Sequence, residues 1–214
     1  MVRGLRKRVS GLNPLQKLVY LISPNKINNK FYSILNKVLS HNNVKFFQLR
    51  LKNIKTNKIL RIAKKIKKIT DKYKVNFLIN DSFEVAKKIN ADGCHLGQMD
   101  GSIKDANKVL KNKIIGITCH NSKSLAKKAI KNRASYVAFG SFNKSRLKPK
   151  ARPANLSILK WAKKNIKKPI VAIGGINNSN YKRIIKAGAK YIAISSYIWD
   201  NPNLKPELAI RKFK

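Results

Sequence analysis

Two aspartates separated by one helix-length spacer, Asp81 and Asp100, are the residues of this chain best placed to do chemistry. They lie in FLINDSFEVAKKINADGCHLGQMD, residues 77–100, a stretch that reads as strand, helix, strand. FLI is a short apolar run of the kind a buried parallel strand shows. Phe83, Ala86 and Ile89 have helical spacing, and Cys94 and Leu96 flank His95 in a second strand. Each strand runs into one of the aspartates, so in a parallel sheet or barrel both carboxylates reach the carboxyl-terminal edge, where α/β proteins collect ligands. The chain carries only 8 acidic residues, which makes two at one rim a concentration. The same residues also fit helix starts: Asp81 with Glu84 is a capping-box pattern, and Asp100 with Ser102 can cap the helix that follows.

Three other patterns belong to the same edge. QLRLK puts Gln48, Arg50 and Lys52 on alternate positions, hence on one face of a strand, and one amide with two cations suits a cluster of polyphosphate oxygens. AIGGINN places Gly174 and Gly175 where a backbone must come close to a ligand, just ahead of a helix amino terminus. Ser195 and Ser196 add hydroxyls and amides beside it, and loops seven and eight of a barrel often form a phosphate site. Mg2+ suits carboxylates that share a site with phosphates, because it keeps its waters and takes one or two protein ligands. The pattern predicts an enzyme acting on two phosphorylated small molecules, one of them a diphosphate.

Eight strand-then-helix units are needed to position these residues, and eight can be counted. The strands read at 18–22, 44–50, 75–79, 94–96, 113–119, 135–140, 169–175 and 191–196. The helices read at 28–40, 56–73, 82–90, 102–111, 121–132, 155–165, 178–187 and near 204–212. Asn121, Asn155 and Gly188 supply start and stop signals. This alternation predicts an α/β chain folded as a single-domain (β/α)8 TIM barrel over residues 18–214, with an open doubly wound sheet as the alternative. Residues 1–17 read as a basic extension. The longest irregular stretch, 140–154, follows strand six, where a barrel carries a lid or a ligand clamp.

Composition bounds the partners. Lys plus Arg number 49 against 8 Asp plus Glu, a net charge of +41, yet the lysines recur on the polar faces of most helices instead of forming one block. That is a solvated surface more than a nucleic-acid face. The 2 cysteines, Cys94 and Cys119, fall inside strands, as buried thiols of a cytoplasmic protein do. No apolar run approaches the roughly 20 residues of a membrane span. Oligomeric state is left open, a homo-oligomer included.

QLRLK, IND, ADGCHLGQMD, GITCH, AIGGI and IAISSYI, in this order, resemble the thiamine-phosphate synthase family over roughly residues 18–200. The resemblance implies a barrel enzyme that joins a hydroxymethylpyrimidine diphosphate to a thiazole phosphate and releases diphosphate. It implies that Gln48, Arg50, Lys52, Asn80, Thr118 and Lys148 hold the diphosphate, that Asp81 and Asp100 bind Mg2+, and that Gly175, Ser195 and Ser196 receive the thiazole phosphate. Ser145 keeps one hydroxyl of the loop after strand six. Arg50, Lys52 and Lys148 would neutralise the leaving group, so neither cysteine nor any histidine is required to act. His95, inside a strand, reads as structural. The chain departs from the family pattern where Ser141 replaces proline, Ser145 and Leu147 replace threonines, and Met99 replaces glutamate.

Two rival readings exist. A thiazole tautomerase or degenerate homologue of the same family would use His120 as its acid/base, and would have no need of both aspartates with Gln48, Arg50 and Lys52. A basic nucleic-acid-binding protein would show steep salt dependence that is indifferent to rim mutations.

Overall fold

Short apolar runs become strands here because both faces of each are covered. The computed structural model describes residues 17–143 and 153–214. Its strands are β1 Val19–Ile22, β2 Val44–Leu49, β3 Asn76–Asn80, β4 Gly93–Leu96, β5 Ile114–His120, β6 Tyr136–Gly140, β7 Ile170–Ile173 and β8 Tyr191–Ile194. Between them lie α1 Asn29–Leu39, α2 Thr56–Lys72, α3 Phe83–Lys88, α4 Ile103–Leu110, α5 Lys123–Lys131, α6 Leu156–Asn165 and α7 Tyr181–Ala187. Every neighbouring pair is parallel, and β8 returns to β1, with Val19 opposite Ile192, so the sheet closes into a barrel in sequence order. The expected (β/α)8 architecture is therefore the observed one.

Alternation along each strand sorts the core into two parts. One side chain of each pair packs outward against helices, where Leu35, Ile66, Leu96, Phe139 and Ile184 are buried. The other points into the barrel, where Tyr20, Phe46, Leu78, Tyr136, Val171 and Tyr191 fill the interior. The interior is thus packed, which leaves only the rims free to bind anything. Each large ring so buried stabilises the fold by roughly 2–3 kcal/mol.

Several ends differ from the sequence reading. β8 stops at Ile194, and the following residues turn into a four-residue helix, α8 Ser196–Trp199. Its Trp199 Nε1 donates to the carbonyl of Ile22, 2.6 Å away, anchoring α8 on the end of β1. The terminal helix is shorter than expected, α9 Pro206–Ala209 followed by a 3-10 turn over Ile210–Lys212. Buried Asn43 donates to the carbonyls of Ile210 and Phe213, at 2.8 and 3.0 Å, so this segment closes the lower rim.

Helix starts also differ. Ser82, not Asp81, caps α3 by accepting from Val85 N, and Ser102 caps α4 by accepting from Asp105 N. Ser122, not Asn121, caps α5, while Asn155 caps α6 as expected. Ser82→Ala and Ser102→Ala are each expected to cost about 1 kcal/mol. In a barrel of this size that lowers Tm by about 2–4 °C, which thermal unfolding would register.

Candidate active site

With both helix starts capped by serines, the two aspartates are left for other work. Asp81 follows β3 in a left-handed conformation, φ 67°, and its N–H donates to the carbonyl of His95 across the barrel edge, 2.8 Å. Asp100 reaches back so that its Oδ2 accepts from Gly97 N at 2.8 Å. A Cβ on Gly97 would lie 2.6 Å from that oxygen, so a larger residue there would displace the Asp100 carboxylate. Partial burial raises the proton affinity of Asp81, and the adjoining Asp100 raises it further, while Lys52 opposes both. Lys52 Nζ lies 3.4 Å from Asp81 Oδ2. Two carboxylates held against each other fit a small hard cation.

Gln48 is the last inward residue of β2, buried, and its Nε2 donates to Asn80 Oδ1 at 2.5 Å. The strand ends at Leu49, one residue earlier than expected, so Arg50 and Lys52 leave over the rim and do not share a strand face with Gln48. Arg50 N donates to Ser23 Oγ at 2.9 Å. Thr118, near the end of β5, is held from two directions. Gln98 Nε2 donates to its carbonyl at 2.5 Å, and its hydroxyl meets His95 Nε2 at 2.9 Å. His120 ends the same strand, exposed to solvent.

The opposite side of the rim is built from backbone. Gly174 and Gly175 both have positive φ, 105° and 59°. Asn180 Nδ2 donates to the carbonyl of Gly175 at 2.9 Å and fixes that turn. Gly174 also makes room for the start of the next loop, since a Cβ there would fall 2.0 Å from Ser141 Oγ. Ser195 and Ser196, expected at the end of a strand, instead form the start of α8. Ser195 Oγ donates to the carbonyl of Ser23 at 3.2 Å.

Ser23 is a residue that sequence reasoning missed. It is 2% exposed and joins the Arg50 side of the rim to the Ser195 side. The only signal was a hydroxyl immediately after a strand in LISPN. Gln98 was also missed, because it lies two residues ahead of Asp100 and was read only as part of a motif. Ser145 and Lys148, with Leu147, lie outside the described residues.

Both cysteines are buried and free, and burial pushes each thiol up to about 12, so neither is a nucleophile at neutral pH. Among the described residues no three of His, Cys, Asp and Glu gather as a metal-binding group, and no helix is long and apolar enough to cross a membrane. Among the described residues, Lys52 is the cation paired with Asp81 beside Asp100.

Residues 19–198 match the family described as thiamine monophosphate synthase. The chain is 56% identical over 200 residues to the thiamine-phosphate synthase of Pelagibacter ubique, covering 93% of this chain and 97% of that one. It is 40% identical over 186 residues to that of Erythrobacter litoralis, covering 85% and 87%. Among solved structures, the thiamine phosphate pyrophosphorylase of Pyrococcus furiosus superposes with a TM-score of 0.82 at 28% identity, over 94% of this chain and 95% of that one. The chain belongs to the thiamine monophosphate synthase family and is a transferase of thiamine biosynthesis.

Proposed function

We propose that this chain joins 4-amino-2-methyl-5-hydroxymethylpyrimidine diphosphate to 4-methyl-5-(2-phosphooxyethyl)thiazole, with Mg2+ on Asp81 and Asp100. The observation that carries the reading is the juxtaposition of Asp81, Asp100 and Lys52 on one rim, on the same side as Gln48 and Asn80. A diphosphate needs both a cation and hydrogen-bond donors, and this edge supplies them. When bound, Mg2+ would offset the charge that builds on the departing diphosphate.

The protein's own residues do the rest. Gln48, Arg50, Lys52, Asn80 and Thr118 bind the diphosphate, with Lys148 assigned to it by the family resemblance and Ser145 assigned to substrate binding. Gly175, Ser195 and Ser196 take the thiazole phosphate through backbone N–H groups and hydroxyls. The bond between the pyrimidine methylene carbon and the diphosphate oxygen breaks, its electron pair leaves with diphosphate, and the thiazole nitrogen supplies the pair for the new carbon–nitrogen bond. No proton has to be removed from the attacking nitrogen, so positioning and charge neutralisation suffice. The two substrates approach from opposite sides of the rim, and Ser23 sets the spacing between those sides. The lysine-rich shell serves solvation in a cytoplasmic setting, not nucleic-acid binding.

Purified protein given both substrates is expected to form thiamine phosphate with Mg2+ and to stop when a chelator is added. Product formation unaltered by chelation would remove the metal from the reading. Absence of product from folded protein would remove the reaction.

A further inference from the structure

Four polar side chains from four strands form one line of hydrogen bonds inside the barrel. The hydroxyls of Tyr20 on β1 and Tyr136 on β6 lie 2.7 Å apart. Tyr136 Oη meets His95 Nδ1 on β4 at 2.8 Å, and His95 Nε2 meets Thr118 Oγ1 on β5 at 2.9 Å. Both tyrosines are 1% exposed and His95 is 8% exposed. Burial raises both phenols well above their usual range, so both keep their protons. The imidazole stacks on the Tyr136 ring at an interplanar angle of 15°. Gly116 makes room for that ring, since a Cβ there would fall 1.9 Å from its Cζ.

Such a line has a direction, because each hydroxyl has one proton to give and a neutral imidazole has one N–H. In the outward order, Tyr20 donates to Tyr136, Tyr136 donates to His95 Nδ1, and His95 Nε2–H donates to Thr118, whose own proton then points to the rim. In the inward order every bond reverses, and Thr118 turns lone pairs toward any ligand. A phosphate oxygen accepts from the first arrangement and is repelled by the second. We propose that His95, oriented by Tyr136 and Tyr20, is a positioning residue that turns the Thr118 O–H toward the substrate diphosphate. This rests on the reading above that Thr118 meets the diphosphate.

A double-mutant cycle tests it. Thr118→Val is expected to lower kcat/KM for the pyrimidine diphosphate by about tenfold or more. His95→Leu is expected to do the same with KM for the thiazole phosphate unchanged, and to add nothing in the Thr118→Val background. His95→Gln, whose amide can still donate to Thr118, recovers most of the loss. Tyr136→Phe, which keeps the ring, is expected to give a smaller loss of the same kind and carries the test if His95→Leu fails to fold. Losses that multiply, or a matching rise in KM for the thiazole phosphate, would assign His95 to structure alone. If Thr118→Val changes nothing while product still forms, the proposal falls and the synthase reading stands. Nitrogen-15 NMR of His95 with inorganic diphosphate present gives an answer independent of turnover: the Nε2–H tautomer is expected, and the Nδ1–H tautomer would overturn the proposal.

Discussion

Asp81→Asn and Asp100→Asn are each expected to lower thiamine phosphate formation by about 10²- to 10³-fold, the range for removing one preorganised electrostatic contact. The fold should not suffer. Asparagine tolerates the left-handed backbone at position 81, and its amide oxygen can still accept from Gly97 N at position 100. Neither aspartate caps a helix, because Ser82 and Ser102 do. Stability should stay level or rise. Asp81 binds its proton more tightly folded than unfolded, so above its folded pKa its charge opposes folding, and asparagine removes that cost. Mg2+ should raise the Tm of the parent protein and not that of the variants, since only a bound ligand stabilises by mass action. Wild-type turnover in either variant, or Mg2+ stabilisation undiminished in both, would place the cation elsewhere.

Gly93→Ala is expected to give the largest loss of stability. Gly93 faces the barrel interior between Leu78 and Ile114, and a Cβ built on it lies 1.8 Å from the carbonyl oxygen of Ile114. A side chain could rotate away, but this oxygen belongs to the next strand of a closed sheet. Relief requires β4 and β5 to separate, at the top of the overpacking range or beyond, about 3 kcal/mol. The corresponding fall in Tm is about 6–12 °C. Thermal unfolding checks it, and a Tm within 2 °C of the parent would mean that the strands shift at little cost.

The barrel was legible because its signals are local. VNFLI is apolar without alternation, as a strand covered on both faces must be, and SLAKKAIK repeats at helical spacing. The rim was legible in the same way, since a residue that follows a parallel strand can go nowhere else. Choice among neighbouring hydroxyls and carboxylates was less legible. Ser82 and Asp81 are both good caps, and which one takes the role depends on a single φ angle that the sequence does not fix. Ser195 and Ser196 looked like the end of a strand, but they begin α8, whose Trp199 is anchored on β1. His95 was read as structural because a histidine between Cys94 and Leu96 offers no clue to what it faces. Its partners Tyr20, Tyr136 and Thr118 lie on three other strands, and only inter-strand register brings the four together.

The closing pair of the barrel carries a consequence for how the chain is made. Val19 on β1 must wait for Ile192 on β8 before its second edge is satisfied. During synthesis from the amino terminus β1 therefore leaves the ribosome almost a whole domain ahead of its partner, with a row of open amides and carbonyls along an apolar strand. Closure is a long-range step, and long-range parallel pairing is slow. The dense positive charge of the helices, +41 over the whole chain, keeps such half-built sheets from meeting one another edge to edge. A surface that contributes little to catalysis thereby protects the interval in which the enzyme is not yet a barrel.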